Sequence, residues 1–243
     1  MKPHDVKQMR SHWESQAADY DWGRKWSRVD TRVLELIDAD LGDRLLEIGF
    51  GSGVVAAEII HAYPGIRYYG IDLADNFIRL AKGRLTNTAA LIQASASHLP
   101  FRAGSIHIVL EMNAIHHFPR RIIPDAVTEI ADVLKQGGRF ISVEDWGTPP
   151  EDDRESLVYE LQRQRPLVRA GLEYHPSDEE WIATFKNAGL VVKRMEHIPR
   201  PLNFQRLWEM LGPEAEGKLA RLWELWGHET PTTKMTLFIC KKA

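Results

Sequence analysis

The segment Leu45-Leu46-Glu47-Ile48-Gly49-Phe50-Gly51-Ser52-Gly53 constrains the fold more than any other part of the chain. An apolar run breaks into three alternating glycines, and 54–63 then reads as a helix. Strand, glycine turn and helix in that order make a tight turn whose amides a ligand can reach without a Cβ in the way. Dinucleotide-binding folds use a related turn with the spacing G-x-G-x-x-G/A. Here Val54 holds the sixth position and the third glycine falls at the fifth, Gly53. Glu47, two residues before the first glycine, is also foreign to that fingerprint.

The alternation continues downstream. Residues 67–71 are strand-like and stop at Asp72, and 75–84 carry Phe77, Ile78, Leu80 and Ala81 at a helical period. Residues 90–94, 106–112 and 139–144 are further candidate strands. A helix over 121–134 is expected to close at Gly137-Gly138. Repeated strand–helix units imply a parallel sheet with right-handed crossovers, and ligands then sit beyond the carboxyl ends of the strands. After a turn-rich break at 148–153, a helix is expected over 178–188 with Ser177 as its N-cap. A strand follows at 190–196, and Pro199 and Pro201 mark a second break. A helical stretch over 203–226 and a last strand at 235–240 complete the chain.

At 243 residues the chain is about one and a half typical domains long. Its net charge of −3, with no basic block, argues against a nucleic-acid partner. A single cysteine, Cys240, leaves no intramolecular disulfide and no multi-cysteine zinc site. No apolar run approaches the roughly 18 residues of a membrane span, and residues 1–5 do not open a signal peptide, so a cytoplasmic protein without a membrane partner is expected. None of the eight tryptophans lies between Trp26 and Trp146.

The glycine segment resembles motif I of the class I S-adenosylmethionine-dependent methyltransferases, and later segments follow that family's order. Tyr69-Gly70-Ile71-Asp72 resembles its second strand, and Leu99-Pro100-Phe101 the loop after strand three. Residues 106–109 followed by Ile115-His116-His117-Phe118 resemble strand four and its exit. Residues 134–140 resemble the lead into strand five, and Ala188-Gly189-Leu190 the turn before strand six. Residues 13–21, with Ala18-Asp19-Tyr20-Asp21, resemble the N-terminal lid of the UbiE-like, small-molecule branch. The resemblance implies an α/β, Rossmann-like fold: a mostly parallel seven-stranded sheet with an antiparallel last strand, plus helical lid and cap segments. It implies a single domain over 1–243, with a lid at 1–30 and a cofactor-binding core at 31–147. Cap insertions would occupy 148–188 and 199–234, and the final strands 189–198 and 235–243.

It further implies S-adenosyl-L-methionine as cofactor and a methyl acceptor as partner; the tryptophan-rich flanks and the absence of a basic groove point to an acceptor that is small and hydrophobic or aromatic. Gly49, Gly51 and Gly53 would let the backbone pass the cofactor, Glu47 would meet its amino group, and Asp72 would accept from both ribose hydroxyls. Leu73 would pack on the adenine, with Ser95, Ala96, Glu111 and Tyr20 completing the cofactor site. Two departures stand out: Ser95 replaces an Asp usual in the family, giving up a charged acceptor, and His107 stands where an aspartate is common. Whether either weakens cofactor binding is left open by the sequence, since neither removes the glycine turn or Asp72.

A sulfonium methyl is already activated, so a base is needed only for a protonated acceptor. His116 and His117 are the candidates for that role. Glu111 and Asn113 are read as holding the cofactor. Glu144, Asp145, Tyr174 and His175 are read as solvated loop residues, with a place at the border of the substrate as the alternative, and the scattered histidines suggest no metal site. Leu207, Trp208, Leu211, Leu219, Leu222, Trp223 and Trp226 form a stripe that is expected to pack on the sheet, with a pocket cap or a homodimer face as alternatives. The rival functions are an NAD-type oxidoreductase, disfavoured by Val54 and the Leu99-Pro100-Phe101 loop, and a cofactor-binding scaffold or other sulfonium-using enzyme that methylates nothing.

Overall fold

The computed structural model describes residues 3–17, 28–85, 89–201, 216–226 and 232–243. Seven strands form one sheet: β1 (Arg44–Ile48), β2 (Arg67–Asp72), β3 (Ala89–Gln93), β4 (Ile106–Met112), β5 (Leu134–Asp145), β6 (Leu190–Pro201) and β7 (Thr232–Lys242). Their spatial order is β3-β2-β1-β4-β5-β7-β6. β1 to β5 pair in parallel, and β7 runs antiparallel to β5 and β6. This is the mostly parallel sheet with an antiparallel last strand that the sequence implied. The described helices are α1 (Pro3–Gln16), α2 (Arg28–Ile37), α3 (Val54–Ala62), α4 (Asp75–Arg84), α5 (Ile123–Val133), α6 (Asp153–Arg163), the short α7 (Pro166–Arg169), α8 (Asp178–Asn187) and α9 (Glu216–Trp226).

A sheet covered on both faces needs strands that are apolar on both sides, and β4 supplies Ile108, Val109 and Leu110 in succession. Leu46, Val109, Phe140 and Phe238 bury one face beneath α5 and α8, through Val127, Ile130, Trp181 and Phe185. Leu45, Ile108, Leu110 and Ile141 bury the other beneath α2 and α3, through Val33, Ile37, Val55 and Ile59. Ser177 caps α8 as the sequence predicted: its hydroxyl accepts from Glu180 N at 3.2 Å, and the Glu180 carboxylate accepts from Ser177 N at 3.0 Å. No helix among the described residues is long and apolar enough to cross a membrane.

Three expectations need correcting. β5 starts at Leu134, directly after α5, so Gly137-Gly138 do not cap that helix. Leu134 pairs with Ile106 but Arg139 with Ile108, and Gly137, at φ 72°, takes up the extra residues of this bulge. Pro199 and Pro201 do not break the chain either. β6 pairs only with β7 at the sheet's edge, where proline's missing N–H is tolerated. Finally, Leu219, Leu222 and Trp226 of the predicted stripe pack on Val158 and Leu161 of α6 and on Trp146, away from the sheet. Leu207, Trp208 and Leu211 lie outside the described residues.

Candidate functional site: a cleft and the buried cluster behind it

The carboxyl ends of β1, β2 and β4 open onto a cleft of about 670 Å³, part of it open to solvent. Gly49 and Gly51 form part of its wall. Gly49 has φ +68°, and a Cβ there would lie 2.6 Å from Ala114 Cβ, so only glycine lets the turn pack on the exit of β4. Asp72 ties the turn to β2: Gly51 N donates to Oδ2 at 3.0 Å, and Ala74 N to Oδ1 at 2.9 Å. Burial pushes this carboxyl up to about 6, against the pull of those amides. Leu73, Ser95 and Ala96 also border the cleft, and Ser95 Oγ accepts from Ser97 N at 3.3 Å. Asn113, at φ 55°, holds a buried Oδ1 without a hydrogen-bond partner on the same wall.

Met9 and Trp13 of α1 line the cleft as well. Glu14 anchors this helix, its carboxylate accepting from Asp75 N at 2.9 Å and Asn76 N at 3.0 Å. It thereby supplies the capping acceptor that Ala74, the N-cap of α4, lacks.

Other predicted residues stand off the cleft. Glu47 is buried and accepts from Tyr68 OH at 2.5 Å. Gly53 starts α3 in the left-handed region and shapes the turn from behind. Glu111 is fully buried; it accepts from Ser142 Oγ at 2.5 Å and Ala114 N at 3.1 Å, bracing the exit of β4. Burial and the nearby Glu144 push its carboxyl well up. Tyr20 lies outside the described residues. His107 sits at the opposite, amino end of β4. There its Nδ1 accepts from Arg44 N at 3.0 Å and its Nε2 faces Lys135 Nζ at 2.7 Å. That departure lies away from the cleft.

Behind the cleft lies a polar cluster that the sequence reading mostly missed. A 3-10 turn, Ile115–His117, follows β4 and carries both candidate bases. His117 reaches the cleft, its ring 4.4 Å from that of Trp13 and 4.0 Å from that of His116. His116 lies deeper, 2% exposed, with Nδ1 hydrogen-bonded to Glu144 and Nε2 3.8 Å from Asp145 Oδ1. Glu144 is fully buried, Asp145 is buried at the end of β5, and the His175 side chain is 11% exposed. The expectation that these were solvated loop residues is thus overturned. Loop 170–177 folds inward because Tyr174 N donates to His116 O and Asp178 N to Gly147 O. Tyr174 itself is partly exposed, its hydroxyl on Glu180.

Glu173, 1% exposed, was not foreseen. Arg165 Nη1 donates to its Oε1 at 2.6 Å, and His117 Nδ1 lies 3.5 Å from the same oxygen. His175 sits between two carboxylates, with Nε2 2.9 Å from Glu173 Oε1 and Nδ1 3.3 Å from Asp145 Oδ1. Burial lowers His116 and His117 to about 4. Burial would lower His175 too, but Asp145 and Glu173 raise it to about 9. Asp145 is held well below the ordinary carboxylate range: burial opposes this, but His116, His175 and Arg200 outweigh it. The available signal was the alternation Glu173-Tyr174-His175, which turns both ionisable side chains to one side of an extended segment.

Residues 45–138 match the family model described as a methyltransferase domain. The chain is 34% identical over 155 residues to a ubiquinone/menaquinone biosynthesis C-methyltransferase UbiE of Syntrophotalea carbinolica, covering 61% of each. It spans 52% and 28% of the length of two further curated relatives. Among solved structures, a Bacillus halodurans C-125 protein assigned as a methyltransferase superposes with a TM-score of 0.71 at 18% identity, covering 89% of this chain and 99% of that one. A geranyl diphosphate methyltransferase in complex with SAM superposes at 0.64 and 14% identity, covering 88% of this chain and 84% of that one.

Proposed function

We propose that this chain, which belongs to the class I S-adenosylmethionine-dependent methyltransferase family, transfers a methyl group to a small hydrophobic or aromatic acceptor. The carrying observation is that one cleft runs from the glycine turn and Asp72 to His117 and Trp13. Its chemistry suits the family's cofactor. The glycine wall leaves backbone accessible where a Cβ would not fit, and the orphaned Asn113 Oδ1 is a buried acceptor waiting for a donor. When bound, S-adenosylmethionine supplies a methyl group already activated for in-line displacement.

The chain's own residues then divide the labour. Asp72, through lone pairs not used by Gly51 and Ala74, accepts from the ribose hydroxyls. Gly49, Gly51 and Asn113 hold the methionine portion, and Leu73, Ser95 and Ala96 enclose the adenine end. Ser95 is a weak contributor there, since its hydroxyl is already shared with Ser97. Glu47, Gly53 and Glu111 act indirectly, by fixing the turn and the strand ends. Trp13, Met9 and Phe118 give the open end an apolar wall and exclude water.

His117 is the general base for a protonated acceptor. Glu173, fixed by Arg165, faces Nδ1, which leaves Nε2 to take the proton. Lowered to about 4 by burial, the His117 ring is neutral at pH 7 and free to accept a proton, though as a weaker base than an ordinary histidine. His116 orients His117 by ring packing and is itself bound to Glu144.

Thermal-shift titration with S-adenosylmethionine and with NAD, followed by labelled-methyl transfer into a metabolite extract, tests the reading. Stabilisation by S-adenosylmethionine and labelling of a small apolar product are expected; stabilisation by NAD alone would overturn it. Cofactor binding with no label in any acceptor would favour a scaffold. Once an acceptor is found, His117→Ala is expected to lower kcat by about 10²–10⁴ with little change in cofactor affinity.

A further inference from the structure

We propose that His116, Glu173 and His175 form a binding site for one divalent first-row transition metal, immediately behind the cleft. One ligand-capable atom from each of the three lies within 4.8 Å of those from the other two. Two imidazoles and one carboxylate is the donor set of three-ligand zinc sites and of non-haem iron sites, both of which keep positions open for a further ligand. Bonds of 2.0–2.2 Å bring such donors to roughly 3.3 Å apart, so small side-chain rotations close the set.

Three observations point beyond ordinary ion pairing. The first is a surplus of buried, unpartnered polar atoms on residues of one cluster. Both ring nitrogens of His175, Glu173 Oε2 and Asp145 Oδ1 are all buried without a hydrogen-bond partner. The His175 nitrogens come within 2.9 and 3.3 Å of carboxylate oxygens, yet neither approach has hydrogen-bond alignment. Buried polar atoms normally find partners, and a cation at their common centre would satisfy several at once.

The second is the orientation of His116. Its Nδ1 is taken by Glu144, which leaves Nε2 to the cluster, 3.8 Å from Asp145 Oδ1 and too far for a hydrogen bond. A carboxylate behind the far nitrogen is the usual support of a metal-bound histidine. The third is how Glu173 divides its oxygens. Arg165 fixes Oε1 at 2.6 Å, while Oε2 remains free at 1% exposure of the residue. Asp145, whose Oδ2 faces Arg200 at 3.3 Å, keeps Oδ1 for a metal-bound water or as an added ligand. Because the His116 and His117 rings are 4.0 Å apart, the site adjoins the proposed base without using it.

This inference does not rest on the methyltransferase reading, and its test is separate. The full-length protein, stripped with chelator and exhaustively dialysed, is titrated with Zn²⁺ and with Co²⁺ at pH 7.5. One equivalent of each is expected to bind, with Co²⁺ d–d absorption of nitrogen/oxygen ligation and no thiolate charge-transfer band. His175→Ala and the gentler Glu173→Gln are each expected to weaken binding at least tenfold, in the range typical for loss of a ligand or its support. His98→Ala, on an exposed histidine away from the cluster, leaves binding unchanged. The thermal upshift with S-adenosylmethionine in the same samples reports folding and cofactor binding independently. Wild-type protein that is folded but binds neither metal stoichiometrically would overturn the proposal. So would stoichiometric binding that both cluster variants leave intact.

Discussion

Asp72 shows how much one carboxyl can govern in this molecule. It is 8% exposed, and its oxygens take the amides of Gly51 and Ala74, so it fastens the glycine turn to the end of β2. Burial nevertheless dominates and raises its carboxyl from 3.8 to about 6. A raised folded value means that the protonated form is favoured on folding. Its contribution to stability is therefore full below about 3.8 and is lost as pH rises through about 6, at most about 3 kcal/mol by linkage. A ligand whose hydroxyls bond to the ionised carboxylate recovers part of that loss. Affinity for S-adenosylmethionine is thus expected to weaken as pH falls below about 6, approaching tenfold per unit. Calorimetric titration at pH 7.5, 6.0 and 5.0 measures this. Asp72→Asn should bind at least tenfold more weakly at pH 7.5 and show a flat pH dependence; an unchanged slope in that variant would remove Asp72 from the cofactor site. Gly49 gives a complementary case. Gly49→Ala places a Cβ 2.6 Å from Ala114 Cβ at φ +68°, a strain of about 1–3 kcal/mol. Weakened cofactor binding alongside a lowered but still cooperative Tm is the expected result.

Among the elements, α1 is joined to the core chiefly through its side chains. Glu14 caps α4 at both Asp75 N and Asn76 N, and Asn76 Nδ2 donates back to Glu14 O at 2.9 Å. Losing such a cap costs about 1 kcal/mol, or roughly 2–4 °C in Tm for a chain of this size. Because the same helix carries Met9 and Trp13 to the cleft, Glu14→Ala should also weaken cofactor binding several-fold, while Glu14→Asp should retain part of both effects. A Tm loss with unaltered affinity would mean that α1 braces α4 without covering the cleft. This contact was not readable from sequence: residues 14 and 75 are 61 positions apart, and a glutamate capping another helix leaves no local signature. What could be read was local or periodic. The strand–turn–helix at Leu46 to Val54, the Asp at the end of β2 and the Ser177 N-cap were each legible in local pattern. The prolines of β6 misled because edge position is a property of the whole sheet, and Gly137-Gly138 misled because a bulge and a helix cap use the same residue.

At the scale of the whole molecule, sheet order explains both the successes and the omissions. The sequence placed ligands beyond the ends of parallel strands, and β1, β2 and β4 do open onto one cleft. It could not foresee that loop 170–177, far along the chain, would fold back over the 3-10 turn after β4. Nor could it foresee that Glu173 and His175 would meet His116 there. That meeting is a product of long-range packing, invisible to spacing rules. The uneven distribution of tryptophan gains its meaning at this scale as well. None lies between Trp26 and Trp146, so the glycine turn, Asp72 and the β3 and β4 loops are spectroscopically silent. Among the described residues, Trp13 is the tryptophan that lines the cleft. Trp181 is wholly buried against Phe185 and does not line the cleft, and Trp146 and Trp226 pack with α6. Binding of S-adenosylmethionine or S-adenosylhomocysteine should therefore change tryptophan emission mainly through Trp13, whose indole lies 4.4 Å from the His117 ring. Trp13→Phe is expected to remove most of the ligand-induced change while keeping an apolar wall and near-native affinity by calorimetry. Trp181→Phe should keep the full amplitude despite a cost to stability from its buried site. Full amplitude in Trp13→Phe would mean that α1 does not contact the bound cofactor, and the helix would then have to be assigned to the acceptor alone.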